Sequence, residues 1–171
     1  MQISSNTTIT SNITADTEWS KTDSPYYLSN NIQIAKGATL TIDPGVTIYG
    51  NGHSILNYGS VAAIGDTTNR ISLNTLELDS GNNNSTPCTY NLQYLDMSGG
   101  KLFSPTGEAM SINLTIQHST FINIADYTYI WYPANQIDIG YNIFENTGTL
   151  SIGSNYNVYI HNNDFYNINT S

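Results

Sequence analysis

The stretch Leu114-Thr-Ile-Gln-His-Ser-Thr-Phe-Ile-Asn123 is the first copy of a pattern that two later stretches repeat. They are Ile137-Asp-Ile-Gly-Tyr-Asn-Ile-Phe-Glu-Asn146 and Val158-Tyr-Ile-His-Asn-Asn-Asp-Phe-Tyr-Asn167. In each copy two apolar residues flank a variable one, and a phenylalanine and an asparagine follow at matching positions. The phenylalanines recur at nearly equal intervals, at Phe121, Phe144 and Phe165. A period of roughly 20–25 residues predicts a solenoid in which every repeat forms one coil.

The N-terminal half carries a weaker form of the same period. Glycines recur at a constant interval of similar length, at Gly37, Gly59 and Gly81. Each of them ends a short apolar stretch, and after the first two the apolar pattern resumes. If the glycine interval is the step of the coil, Leu40 and Ile42 are predicted to match Ala62 and Ile64 in the following coil.

Two solenoid architectures have a period of this length. The leucine-rich repeat fits the segment from Ile137 to Phe144, but it also needs a second, leucine-lined half that is usually helical. The segments between the repeats, such as 148–152, instead read as strands rich in Ile, Tyr, Thr and Val. We therefore predict an all-β, right-handed parallel β-helix of about seven coils of roughly 21–25 residues.

The alternation of apolar residues places the strands and turns of the last coils. Strands are predicted over 129–132, 137–139, 144–146, 149–152, 158–160 and 165–168. Their inward residues are Ile130, Tyr132, Ile137, Ile139, Leu150, Ile152, Val158 and Ile160. Asp43-Pro44-Gly45-Val46 predicts a type II turn between two further strands. The turn residues Ser119, Asn142 and Asn163 are expected to stack and to hydrogen-bond buried turn backbone.

Composition and charge exclude several classes of function. Charged residues make up 10% of the chain and its net charge is −9, and the four cations stand far apart at Lys21, Lys36, Arg70 and Lys101. This pattern argues against a nucleic-acid partner. No apolar run reaches the ~18 residues of a membrane span, so we expect no membrane insertion. Cys88 is the single cysteine, so no thiolate metal cluster or internal disulfide can form.

Several stretches resemble the openings of secreted bacterial and archaeal β-helix proteins. They are Ile9-Thr-Ser-Asn-Ile-Thr-Ala-Asp-Thr-Glu-Trp19, Ser24-Pro-Tyr-Tyr-Leu28 and Gly37-Ala-Thr-Leu-Thr-Ile-Asp-Pro-Gly-Val-Thr-Ile48. The later N-x-F-x-N repeats are similar to those of the pectate-lyase-like superfamily. The resemblance implies an N-terminal cap with the first strand over 1–30 and β-helix coils over 31–171, as a single domain. It also implies an extracellular or cell-surface location.

The C-terminus follows a repeat directly, with no helix or polar segment to cover the end of the solenoid. We therefore expect a C-terminally truncated segment or one that a partner closes. A bare end coil invites edge pairing, so self-association through the open C-terminal coil is one expected mode of contact.

We predict no catalytic, cofactor-binding or metal-binding residue. A lyase of this superfamily needs a basic residue to remove a proton. Arg70 and Lys101 are the candidates for this role, but neither lies in a predicted strand with acidic residues on both sides. Inverting glycosidases of similar fold need paired carboxylates, but Asp138 and Glu145 are each predicted to be alone at their level of the solenoid. His118 and His161 fall one position out of register and two coils apart, which argues against a shared metal or acid–base role.

The aromatic stretch Tyr127-Thr-Tyr-Ile-Trp-Tyr132 suggests a ligand site. If Ile130 points inward, Tyr129 and Trp131 point outward on the same strand and Tyr127 extends the row. Phe103 is expected nearby on the preceding coil, with Leu102 inward. In the following coil the matching residues are expected to be the small Thr149 and Ser151, which would leave the ring faces open to sugars.

Two readings of this row that involve no ligand stay open. A loop or a neighbouring chain covers the rings, or the alternation is off by one residue and Trp131 belongs to the core.

The sequence therefore predicts a non-catalytic, secreted or cell-surface β-helix module that binds polysaccharide or another surface glycan, or acts in adhesion. The predicted ligand-binding residues are Tyr127, Tyr129 and Trp131. Two alternatives stay open. One is a fragment of a polysaccharide lyase or glycoside hydrolase whose active site spans other coils, and the other is a structural stalk or spacer of a larger surface protein.

Overall fold

The chain winds into a parallel β-solenoid. The computed structural model describes residues 6–81, 87–103, 112–125, 128–131, 136–153 and 157–169. Its first strands are β1 (Thr7–Ile9), β2 (Thr17–Trp19), β3 (Tyr26–Leu28), β4 (Ile32–Ile34), β5 (Thr39–Ile42), β6 (Thr47–Tyr49), β7 (Ser54–Asn57), β8 (Ser60–Ile64) and β9 (Ile71–Ser80). Those that follow are β10 (Cys88–Gln93), β11 (Leu95–Leu102), β12 (Ile112–Gln117), β13 (Thr120–Ile122), β14 (Thr128–Trp131), β15 (Gln136–Gly140), β16 (Ile143–Glu145), β17 (Leu150–Gly153), β18 (Val158–His161) and β19 (Asp164–Tyr166).

Every described strand pair is parallel, and the pairs define the faces of the solenoid. Face A contains β1, β3, β6, the first half of β9, the first half of β11, β13, β16 and β19. Face B contains β2, β5, β8, β10, β12, β15 and β18. Face C contains β4, β7 and the second halves of β9 and β11, and β14 pairs with β17 in a separate two-stranded sheet.

The structure confirms the predicted all-β solenoid, with about six turns joining the strands of face B against about seven predicted coils. Leu114, Ile137 and Val158 pair in register on this face, as the repeats predict. The interval between the partners Val61 and Tyr90 is longer than the predicted period, because the links on both sides of β9 are long.

One register prediction in the N-terminal half is wrong. Leu40 pairs with Val61 and Ile42 pairs with Ala63, so the step of this coil is one residue shorter than the interval between the glycines. Val61 and Ala63 are buried, and the predicted Ile64 is exposed at the end of its strand. A shift of one residue exchanges the inner and outer faces of a strand, so this difference decides which residues form the core.

Columns of apolar side chains from successive coils fill the interior. The face A column contains Tyr26, Ile48, Leu73, Met97, Phe121 and Phe144, all of them buried. Phe121, Phe144 and Phe165 stack with nearly parallel rings at 5.0 and 5.1 Å between centroids. The spacing is close to the distance between strands, so one residue type at one repeat position gives a continuous stack.

Specific residues form the turns between the faces of the solenoid. At the predicted type II turn, Val46 N–H donates to the Asp43 carbonyl at 3.2 Å, and Gly45 has a φ of +79°. Asn142 Oδ1 accepts from Ser119 N–H at 2.9 Å, and Asn163 Oδ1 accepts from Asn142 N–H at 3.0 Å, which confirms the predicted stack of turn residues. The described helical structure is the short 3-10 turn Lys21–Asp23, so none of it is long enough to cross a bilayer.

Candidate functional site

The structure describes only part of the predicted aromatic row. Tyr127 lies outside the described residues, and Tyr129 and Trp131 are described as backbone in β14. Ile130 is buried, as predicted. The register is displaced from the predicted one, because Tyr129 pairs with Ser151 and Trp131 pairs with Gly153. Both partners are small, and neither carries a ring.

The prediction for Phe103 is wrong. Leu102 is buried as expected, but Phe103 is also fully buried and packs edge-on against Tyr90 at 5.1 Å between ring centroids. Phe103 has a φ of +53°, and this left-handed conformation interrupts the strand alternation. It therefore belongs to the core and not to an outer aromatic surface.

A different aromatic cluster lies on the corner between faces B and A. Tyr94, His118 and Tyr141 stack in successive coils, with ring centroids 4.8 and 5.0 Å apart and planes within 11° of parallel. All three have positive φ, between +51° and +60°. We call this set the corner ladder. The repeat alignment places His118 opposite Tyr141, which was the available signal, but Tyr94 lies in a coil whose repeat is weak.

A groove runs beside the corner ladder. It has a volume of about 290 Å³, and its lining includes the three ladder residues with Thr67, Arg70, Ser119, Thr120 and Ile143. Arg70 lies at one end and makes a bidentate ion pair with Asp96, in which Nε and Nη2 donate over 2.8–3.0 Å. Arg70 Nη2 also donates to the Leu95 carbonyl at 2.9 Å. The charge of the Arg70 guanidinium is therefore balanced by Asp96. The hydroxyl groups that line the groove can both donate and accept hydrogen bonds.

The outer surface of face B carries a second groove, with a volume of about 370 Å³. Its outward side chains come from three successive coils and are all uncharged: Thr89, Asn91, Asn113, Thr115 and Gln136. Apart from Asn91, which accepts from Gln93 Nε2 at 2.8 Å, none of these side chains hydrogen-bonds to the described part of the chain. We call this surface the amide groove. Its side chains are available to a ligand.

Asp138 has no carboxylate beside it in the adjacent coils, as predicted, but its side chain does have partners. Its register partners are Thr115 and Tyr159, as expected, but its Oδ1 lies 3.1 Å from His161 Nε2 and its Oδ2 accepts from Gln117 Nε2 at 2.9 Å. The His161 ring lies over Gly140, where an added Cβ would collide with it. The missing side chain therefore lets an imidazole from one coil reach a carboxylate of the coil before it.

Glu77 and Asp79 lie two residues apart on the outer side of β9, where the charge of Glu77 adds to burial in raising the pKa of Asp79. In none of the given registers does a carboxylate lie opposite another carboxylate, and Glu145 lies between Ile122 and Tyr166. No group of three His, Cys, Asp or Glu residues in the described part of the chain is arranged to hold a metal ion. Burial raises the pKa of the Cys88 thiol to about 12, so this cysteine is an inert core residue.

Comparisons with known proteins add no relative. No family model matches the chain, and no curated protein or solved structure matches it significantly. The class of protein is therefore defined by the fold alone, as a parallel β-solenoid. Membership of the pectate-lyase-like superfamily stays a prediction.

Proposed function

We propose that this chain is a non-catalytic carbohydrate-binding module that holds a neutral polysaccharide against face B. The observation that carries the proposal is the amide groove, in which the side chains of Thr89, Asn113, Thr115 and Gln136 make no hydrogen bond to the described part of the chain. Hydroxyl and amide groups complement sugar hydroxyls, since both sides can donate and accept hydrogen bonds. The backbone beneath them is a paired sheet, so the groups are held in place before a ligand arrives.

Charge favours a neutral ligand over an acidic one. The chain has a net charge of −9, and the amide groove contains no cation to bind a uronate or sulfate group. Long-range repulsion would lower the association rate of a polyanion. We therefore propose neutral glycans as the ligand class, in a secreted or surface-displayed protein for which adhesion to such a glycan is one use.

The aromatic residues of β14 provide a second contact in this proposal. Tyr129 and Trp131 have Ser151 and Gly153 as their partners in the next coil, and neither of these partners carries a ring. This distinguishes them from the corner ladder, in which the rings cover one another. Sugar rings stack well on aromatic faces that lack such neighbours.

The test is retention of the purified chain on insoluble and soluble polysaccharides, with product sugars assayed in the same tubes. We expect retention on a neutral polysaccharide without product. The double variant Asn113→Ala/Thr115→Ala should weaken binding about tenfold, because it removes two sets of hydrogen bonds. Thr41→Ala is the matched control, since Thr41 is exposed on the same face two coils before the groove.

Other outcomes favour the alternatives. Product release would indicate a lyase or hydrolase fragment, and absence of both retention and product would indicate a stalk or spacer. Full retention by the double variant would remove the amide groove from the proposal.

Trp131→Ala tests the aromatic contact separately. We expect it to weaken polysaccharide binding about tenfold while the far-UV spectrum and the melting temperature stay unchanged. Unchanged binding would remove β14 from the ligand site but leave the amide groove in place.

A further inference from the structure

We propose that the groove beside the corner ladder is a second track of the same binding surface, which takes a neutral polysaccharide chain lying parallel to the solenoid axis. This inference rests on the proposed function, since it assigns the ligand class from there. It adds the direction of the bound chain and a separate set of contacts.

The lining residues give the direction of the track. They come from four successive coils: Arg70 precedes β9, Tyr94 follows β10, His118 follows β12 and Tyr141 follows β15. Successive coils are about 4.8 Å apart. The groove therefore runs along the axis and is suited to an extended, repeating polymer rather than to a single small molecule.

The ring edges supply the contacts along this track. Both faces of the His118 ring are covered, by Tyr94 on one side and Tyr141 on the other. Tyr141 and His161 make a T-shaped contact at 5.2 Å between ring centroids. Sugar stacking on the His118 ring is therefore blocked, and the polar edges of the ladder remain. The two phenol hydroxyls and the His118 ring nitrogens make no hydrogen bond to the described part of the chain, although Tyr141 is 52% exposed.

Stacking holds these edges ready for a ligand. A positive φ is energetically unfavourable for bulky residues. The next coil has Asn162 at the equivalent corner, and asparagine tolerates this backbone conformation better. The ring–ring contacts offset that cost and fix the side chains. A row of fixed donors and acceptors loses little entropy on binding.

The ends of the groove suit hydroxyl groups rather than an anion. Arg70 is paired with Asp96, so the local charge is balanced, and Thr67 and Thr120 add hydroxyls without a partner in the described part of the chain. Sugar hydroxyls can donate to and accept from these two threonine hydroxyls.

The experiment measures the Kd of oligosaccharides of two to eight units, prepared from cellulose, mannan, xylan or chitin, whichever retains the chain. The variant is Tyr94→Phe/Tyr141→Phe, which keeps the stacked rings and removes only the hydroxyls. The matched control is Tyr27→Phe/Tyr49→Phe, because these rings stack in the same way on face A at 5.0 Å between centroids. Melting temperatures check that both variants are folded.

We expect the affinity of the unmodified chain to rise with oligosaccharide length until about four coils are spanned. The corner variant should weaken binding of the longest oligosaccharide about tenfold and that of the disaccharide less than twofold, and the control should change neither. If the corner variant binds normally while Asn113→Ala/Thr115→Ala does not, this inference is wrong and the proposed function stands. If no neutral polysaccharide retains the chain, both fail.

Discussion

Gly100 shows how a single residue can be required at a corner of the solenoid. It lies within β11, where the strand bends from face A to face C, and its φ is +84°. A Cβ at this position would collide with the backbone carbonyl of Leu76 in the previous coil. Gly52 has almost the same φ, +80°, but an added Cβ there would meet no atom within 4 Å. A comparison of the two positions therefore distinguishes the cost of the backbone conformation, which both share, from the cost of the steric clash with Leu76, which only Gly100 has.

We predict that Gly100→Ala destabilises the fold by at least about 2 kcal/mol more than Gly52→Ala, which should cost about 1 kcal/mol from its backbone conformation alone. Urea unfolding followed by circular dichroism measures both. Equal losses in the free energy of unfolding would show that the backbone near Leu76 shifts to accept the added Cβ without cost.

Asp79 provides a pH-dependent test at the same scale. Burial raises the pKa of its carboxyl above the ordinary value, and the charge of Glu77 adds to the effect, while Ser80 N–H partly opposes it. Because the folded pKa is the higher one, the folded chain holds this proton more tightly than the unfolded chain does. The stabilising contribution is present below the unfolded pKa and is lost as the pH rises through the folded pKa.

Asp79→Asn should therefore raise the melting temperature at pH 7, and the gain should shrink as the pH falls through the raised pKa of Asp79 and be largely lost below about 4. The exposed Asp164 in β19 supplies the control variant Asp164→Asn, for which little change is expected at either pH. A gain at pH 7 that persists unchanged at pH 3 would contradict the assignment to ionised Asp79.

At the scale of the elements, turn residues tie each coil to the next. The buried Asn142 side chain accepts from Ser119 N–H in the preceding coil. It also donates to the Ile116 carbonyl at 2.9 Å and to Asn163 Oδ1 at 3.0 Å. The short link between faces B and A leaves no room for these groups to reach backbone partners of their own. The asparagine thus replaces backbone pairing at the turn.

Asn142→Ala should lower the free energy of unfolding by about 2–3 kcal/mol, because a buried N–H and a buried carbonyl lose their partners. Asn113→Ala, in the amide groove, should cost less than about 0.5 kcal/mol. Chemical denaturation of the two variants tests the comparison, and a similar loss in both would mean that water replaces the Asn142 side chain.

At the scale of the whole molecule, the two ends of the solenoid differ. Trp19 is buried in the first coils and stacks on Tyr26 at 5.0 Å between centroids. In the last described coil, inward positions are open, with Ile160 48% and Phe165 45% exposed. Each coil of a solenoid is stabilised mainly by its neighbours, so a coil with one described neighbour should open most easily.

Hydrogen exchange should therefore show at least about tenfold lower protection for the amides of β18 and β19 than for those of β12 and β13. Raising the protein concentration adds a test of the predicted self-association, since edge pairing through the last coil would slow exchange there selectively. Uniform protection at low concentration would contradict the expected gradient along the solenoid.

The solenoid could be predicted from the amino-acid sequence, because the spacing and alternation of its residues report directly on strand register. The intervals between Phe121, Phe144 and Phe165, the inward Ile137 and Ile139, and the turn with Asn142 all follow from residues that repeat at nearly constant steps. Where the step changed, at Val61, the same reasoning failed by a single position.

The contacts between outer side chains could not be predicted from the repeats, because they depend on how the coils pack. The inward turn of Phe103 and the corner ladder depend on positive φ values, and the contact of His161 with Asp138 is diagonal between coils, across Gly140. A periodic pattern reports the position of each backbone in its coil, but it does not report the direction that a corner gives to a side chain. That direction depends on the sign of φ and on the space that the neighbouring coil leaves.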